Sequence, residues 1–286
     1  MSSLPSAPTR AAPLAKLRDL AVRTAVGAIL IALIALSLWL WHWGLVILIA
    51  AILGLGAHEL GEAAALKGRW SGWPVVAVGG PVLIVVEYTG WFGDVLTVGL
   101  VGCTALVLVT WAWRLFRPVD GFLADVGSAA LIVVYLPLLL TFVIAMLRTT
   151  HPVAQMATYG VCIVVSDTGA YVVGSLIGRH KMSPNISPSK TWEGFVGGVV
   201  WAGAAGALMC QFFLHQSWWQ GLVMGVVLGV CAALGDLIES AIKRDVGVKD
   251  MGKLLPGHGG AMDRLDSLAF CAPIAWAFMN LWMGQA

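Results

Sequence analysis

What most limits the shape of this chain is a succession of nine apolar runs, at roughly 24–41, 43–57, 74–91, 95–113, 126–147, 157–177, 194–213, 219–237 and 267–284, parted by short polar breaks. A helix crossing the ~30 Å hydrocarbon core of a bilayer needs about 20 apolar residues, within a range of about 17–25, and most of the runs lie near that length. Backbone N–H and C=O groups find no water there, so a crossing segment must satisfy them itself. No strand-like alternation runs through the segments, which leaves helices. Only 11% of the residues are charged, against about 25% in a soluble domain. The fold class expected is therefore all-α: a polytopic membrane bundle of about nine helices. The first two runs are nearly continuous, and at ~1.5 Å per residue one helix over 24–57 would reach about 50 Å, too long for one crossing. A turn at Trp41-His42-Trp43-Gly44 resolves this, with tryptophans at the interface they favour.

Charge placement tests the count. With the amino terminus in the cytoplasm and strict alternation, sixteen of the seventeen Lys/Arg fall on the inner side and only Arg148 falls outside. The expected location is the cytoplasmic membrane, with the loops at 178–193 and 238–266 sharing its inner face. Residues 1–20 read as a mobile amino-terminal segment, 21–150 as amino-terminal membrane helices and 151–286 as a carboxyl-terminal catalytic region. The first run is long and lacks a clear small-residue cleavage site, so it is expected to stay as an anchor. The five cysteines are scattered singly through apolar runs and read as small core residues. A net charge of +2 gives no reason to expect nucleic-acid binding. The glycines of the seventh run are expected to serve close helix contact.

The polar exceptions gather in the carboxyl-terminal half. Residues 235–267 hold five of the seventeen Lys/Arg and six of the fifteen Asp/Glu, between two apolar runs. Asp236, Glu239, Ser240 and Lys243 stand at i, i+3, i+4 and i+7, one face of a helix. Asp263 and Asp266, three apart, open the ninth run. Hard cations such as Mg²⁺ take carboxylate oxygens and keep positions for substrate phosphates, so two or three Asp from two helix ends would form such a site. His258 lies among Gly257, Gly259 and Gly260 and is read as shaping it. Asp167 lies about three turns inside the sixth run; it either lines a polar site or bonds neighbouring hydroxyls as helix glue. Ser187-Pro188 reads as a helix start, a hydroxyl cap followed by proline, which would point the amino end of the seventh helix, with Lys190, at an anion.

These residues resemble a known family. Ser240-x-Ile242-Lys243-Arg244-x₄-Lys249-Asp250-x-Gly252-x₂-Leu255-Pro256-x-His258-Gly259-Gly260-x₂-Asp263-Arg264-Leu265-Asp266 is similar to the signature of phosphatidate cytidylyltransferases. Ser166-Asp167-Thr168-Gly169-Ala170-Tyr171 through Ser187-Pro188-Ser189-Lys190-Thr191-Trp192-Glu193-Gly194 resembles that family's second motif; the amino-terminal half agrees in hydropathy alone. Ala261 and Ser175 depart from the pattern, where a larger aliphatic residue and a Lys or Arg are usual. The resemblance implies transfer of a cytidylyl group from CTP to phosphatidic acid, with Mg²⁺ and room for a second metal ion; a homodimer is left open. It implies Asp236 and Asp263 as metal-centre carboxylates that Asp266 joins or supports, with Lys243, Arg264 and His258 beside them. Arg179, Lys181, Lys190, Arg244 and Lys249 become candidate phosphate ligands, as do Lys243 and Arg264. Asp167, Ser187, Ser189, Thr191, Glu193, Asp250, Gly259 and Gly260 are expected around the substrates. Two rivals are a CTP enzyme acting on an isoprenoid lipid and, from another class, an ion or solute transporter marked by Asp167 and glycine-rich helices.

Overall fold

The computed structural model describes residues 32, 34, 36–252 and 260–284 of the 286-residue chain. The mobile amino-terminal segment and most of the expected first run and its anchor lie outside the described residues, as do His258 and Gly259. The break expected near Trp41 is present: Trp41 is extended (φ −165°), helix α1 starts at the next residue, and Trp39 and Trp41 are exposed.

Seven helical segments long and apolar enough to cross a membrane follow among the described residues, with one shorter apolar helix, Trp73–Thr89, so that each of the second to ninth runs is helical. They are α1 (His42–Leu66), α2 (Trp73–Thr89), α3 (Val95–Arg114), a composite of α4 (Phe122–Val133), a π-helical turn (Val134–Leu138) and α5 (Leu139–Leu147), then α6 (Pro152–Ile177), α7 (Trp192–Phe212), α8 (Trp218–Val246), and α9 (Met262–Trp276) continued by a second π-helical turn (Ala277–Trp282). Pro137 lies inside the first of these turns; it cannot donate an N–H to the ladder, and a π turn absorbs the mismatch without ending the segment. Leu53, Ile84, Leu136, Ile144, Met224, Leu228, Met262 and Met279 are fully buried at the centre. Leu100, Leu108, Val200, Leu208 and Trp219 point outward, where lipid rather than water meets them. The cysteines are free and, except for half-buried Cys231, buried, as core residues should be.

Lipid tails are as apolar as leucine, so helices here are held by close contact rather than by exclusion of water. The glycines of α7 supply it. A Cβ added at Gly206 would strike the Gly221 carbonyl oxygen, and one at Gly198 would lie 2.8 Å from the Ser166 carbonyl oxygen. This packs α7 backbone-to-backbone against α8 on one side and α6 on the other.

One expectation needs correction. Ser187-Pro188 does not start the seventh helix. Residues 178–191 turn back on themselves instead, forming an antiparallel hairpin of β1 (Lys181–Ser183) and β2 (Ser187–Thr191), with Lys181 opposite Thr191 and Ser183 opposite Ser187. Pro188 is tolerated because a two-stranded hairpin consists of edge strands. Helix α7 starts at Trp192, capped by Thr191, whose hydroxyl accepts from the Gly194 N–H at 3.2 Å. The hydroxyl cap is thus real but four residues later. Helix α8 outlasts its apolar run near 237, as expected of a helix whose one face carries Asp236, Glu239, Ser240 and Lys243. It continues to Val246 and ends on Gly247 in the left-handed region (φ 81°), a conformation that glycine adopts without steric cost.

Candidate active site

Because α8 continues past the apolar run, the face bearing Asp236, Glu239, Ser240 and Lys243 is a true helix face, with the Ser240 hydroxyl 3.3 Å from Asp236 Oδ1. Gly235 brings α9 against it: a Cβ there would stand 2.6 Å from the Asp266 carbonyl oxygen. The result is a group of three carboxylates, from Asp236, Glu239 and Asp266, with one oxygen of each within 4.8 Å of the others. Glu239 is completely buried; Oε2 meets the Lys243 ammonium, while Oε1 has no hydrogen-bond partner among the described residues. A buried carboxylate oxygen with nothing to accept from is costly. Its neighbours are other carboxylates, so a cation, or a proton shared with one of them, would satisfy it.

Asp263 stands just outside this group. Its Oδ1 accepts from Lys243 Nζ at 2.9 Å, and its Oδ2 accepts the N–H groups of Gly260 (2.7 Å) and Met251 (3.3 Å). Lys243 therefore sits between Glu239 and Asp263 and couples the two helices. On the other flank Lys190, carried by β2, reaches Asp236 Oδ2 at 2.6 Å and the Ala233 carbonyl oxygen at 3.4 Å. Two lysines thus face four carboxylates, leaving a surplus of negative charge at the end of the bundle.

A cavity of about 500 Å³ opens beside Asp236, between α6, α7, α8 and the hairpin. Asp167, Ser187, Ser189, Lys190 and Thr191 line it together with Asp236, so these sequence-predicted residues do converge. Asp167 faces this polar space, which favours the lining role over that of helix glue. The two loops meet as expected, Arg244 Nε donating to the Ile186 carbonyl oxygen at 3.1 Å.

Other predicted residues lie apart. Arg179 and Lys181 line a neighbouring groove of about 1040 Å³ on the outer side of α6 and α7, with Val173, Val196, Val200 and Trp201 as its apolar wall. Glu193 lines that groove too, and its carboxylate accepts the backbone N–H groups of Arg179 (3.1 Å) and His180 (3.2 Å) and pairs with His180 Nδ1 at 2.6 Å. It holds the start of the hairpin. Lys249 and Asp250 are exposed on the connection after α8, and Arg264 is exposed on the first turn of α9. Gly260 is buried where that turn begins.

Two acidic residues matter more than the sequence reading allowed. The sequence reading puts Glu239 on the right face but not among the candidate ligands; its i, i+3 pairing with Asp236 was the available signal. Glu59, in α1, was missed altogether. Its carboxylate accepts the backbone N–H groups of Ala261 (3.0 Å) and Met262 (2.9 Å), the first of α9. An ionisable residue inside an apolar run was the available signal.

The chain matches the cytidylyltransferase family over residues 21–282, and it belongs to that family. It is a CTP-using nucleotidyltransferase of the membrane. It is 34% identical over 280 residues to the phosphatidate cytidylyltransferase of Mycobacterium leprae, spanning 92% of this chain and 86% of that one. Identity to the protein of the same name in Mycobacterium tuberculosis is 34% over 277 residues, 91% of this chain and 81% of the relative. With that of Staphylococcus epidermidis it rises to 49%, over 111 residues covering 38% of this chain and 43% of the relative.

Proposed function

We propose that the protein transfers the cytidylyl group of CTP to phosphatidate, giving CDP-diacylglycerol and pyrophosphate. The observation that carries this reading is the surplus of converging carboxylates, Glu239 Oε1 unpartnered among them, next to a cavity lined by Lys190. The relatives named phosphatidate cytidylyltransferase support it.

The lipid's phosphomonoester is already anionic near neutral pH, so its oxygen can attack the α-phosphorus of CTP without a strong base. One P–O bond forms, the bond from the α-phosphorus to the bridging oxygen breaks, and pyrophosphate leaves with that oxygen. The obstacles are repulsion between anions and the alignment of attacking and leaving groups, so positioning and electrostatics do the catalysis. Lys190, in the cavity wall, offers its ammonium to the triphosphate. Lys243, fixed between Glu239 and Asp263, holds the carboxylates in place and adds positive charge. Asp236, Glu239 and Asp266, with Asp263 adjoining, are the residues that would hold Mg²⁺, which supplies charge neutralisation for the phosphates when bound.

The groove along α6 and α7 suits the second substrate. Apolar walls accept acyl chains, and Arg179 and Lys181 at the rim suit an anionic headgroup. The first turns of α7 separate groove from cavity: Trp192, Glu193, Val196 and Gly197 line the one, Gly194, Phe195 and Gly198 the other. The loop bias of Lys and Arg supports a cytoplasmic position for this end of the bundle and for the amino terminus, in a cytoplasmic membrane.

The test is purified protein in detergent micelles with phosphatidate, labelled CTP and Mg²⁺. Labelled CDP-diacylglycerol and one equivalent of pyrophosphate are expected. No lipid product from phosphatidate, with turnover of an isoprenoid monophosphate instead, would overturn the assignment of substrate.

A further inference from the structure

Helix α9 begins without a side-chain cap of its own. Ala261, the cap residue, where Ser, Thr, Asp or Asn would normally accept the first free N–H groups, has no side-chain acceptor. Asp263, within the first turn, reaches back only as far as the Gly260 N–H, at 2.7 Å. The missing acceptor comes from 202 positions away. Glu59 Oε1 accepts from Ala261 N at 3.0 Å and Oε2 from Met262 N at 2.9 Å. The space for it is made by two glycines, since a Cβ on either Gly252 or Gly260 would collide with the Glu59 carboxylate. Glu59 is 8% exposed, so its charge is set against a helix amino end rather than solvent, where the macrodipole favours it most. The first two turns of α9 carry Asp263 and Asp266.

We infer that Glu59 is a positioning residue for the active site: a carboxylate supplied by the amino-terminal half that fixes the start of α9, and with it the distance of Asp266 from Asp236 and Glu239. This rests on the proposed reading of that cluster as the cation-binding centre. Glu59 reaches neither the cavity nor the carboxylate cluster. It acts through the backbone of residues 260–262, and its loss should loosen cation binding rather than CTP recognition by Lys190.

The experiment compares wild type, Glu59→Asp, Glu59→Gln and Asp236→Asn, each purified as the full chain. Mn²⁺ binding without substrates is read by electron paramagnetic resonance, beside kcat, KM for CTP at saturating Mg²⁺, and thermal melting. In Glu59→Gln the Mn²⁺ dissociation constant is expected to rise about 10–100-fold, the usual cost of removing a group that orients metal ligands, with kcat falling and KM for CTP within about twofold. Glu59→Asp keeps the charge on a shorter stem and should recover part of the Mn²⁺ affinity; it carries the same test should Glu59→Gln yield no folded protein. Wild-type Mn²⁺ affinity and kcat in Glu59→Asp, with only lowered thermal stability in Glu59→Gln, would reduce Glu59 to a structural cap and overturn the inference. Failure of the underlying reading looks different: wild type and Asp236→Asn would then bind Mn²⁺ alike, whatever Glu59 does.

Discussion

Among the buried charges of the described residues, two constellations are built on opposite plans. In the amino-terminal half, Arg114 and Asp125 pair at 2.7 Å with side-chain exposures of 3% and 9%. Arg114 also donates to the carbonyl oxygens of Pro118 (2.6 Å) and Asp120 (2.9 Å), while Asp125 Oδ1 accepts the Trp70 N–H at 3.0 Å. One positive charge meets one negative charge and the directional bonds are made, leaving nothing to attract a ligand. Asp236, Glu239, Asp263 and Asp266 form the other plan: four carboxylates against Lys190 and Lys243, a buried oxygen without a partner, and a cavity alongside. Both constellations involve ionisable groups that are costly in a membrane. The closed one ties α3 to α4, whereas the open one is poised to receive charge.

The contrast can be broken by substitution. Asp236→Asn should have the largest effect on turnover, a loss of more than ~100-fold, because it removes a carboxylate of the proposed cation site and the partner of Lys190 together; labelled CDP-diacylglycerol formation measures it, and a near-normal rate would mean that the open cluster is no metal centre. Glu239→Gln keeps the shape and removes the charge. It should lower turnover by about 10–100-fold and raise the Mg²⁺ concentration needed for half-maximal rate, read from a Mg²⁺ titration; an unchanged titration would make Glu239 merely the counter-ion of Lys243. Lys190→Ala should act mainly on CTP, raising its KM by about tenfold, the worth of one charge-assisted hydrogen bond, whereas an unchanged CTP dependence would remove it from the triphosphate site. Arg114→Ala should change turnover per folded molecule least, within about twofold, while destabilising the protein by roughly 3–5 kcal/mol through the unpaired buried carboxylate it leaves behind. Thermal melting in detergent and the specific activity of the surviving fraction separate the two, and a catalytic loss matching that of Asp236→Asn would erase the distinction between the plans.

Much of this was legible beforehand for a local reason. Hydropathy is summed over neighbours in sequence, so the membrane segments from 43 onward and the break at Trp41 could be read directly. The i, i+3, i+4, i+7 spacing on α8 is local too, and it held. The hairpin at 181–191 was not legible, because two short strands are stabilised by each other's backbone and leave no period in either; serine followed by proline suits a helix start equally well. The surroundings of Asp263 were half legible. Its place at the start of α9 was right, but its oxygens face Lys243 and the Gly260 N–H, while Asp266, one turn on, turns towards α8.

The sequence by itself determined which segments lie in lipid, at which end the charges gather, and the family to which the chain belongs, because each depends on residue type and short-range spacing. Only the tertiary structure decided which carboxylates converge, and that Glu59, far away in α1, caps the helix that delivers two of them. Helical periodicity says which side chains share a face but not which neighbour that face meets. The meeting was set by close approaches at Gly235, to the α9 backbone, and at Gly252 and Gly260, to the Glu59 carboxylate, where the absence of a side chain lets distant parts of the chain come together.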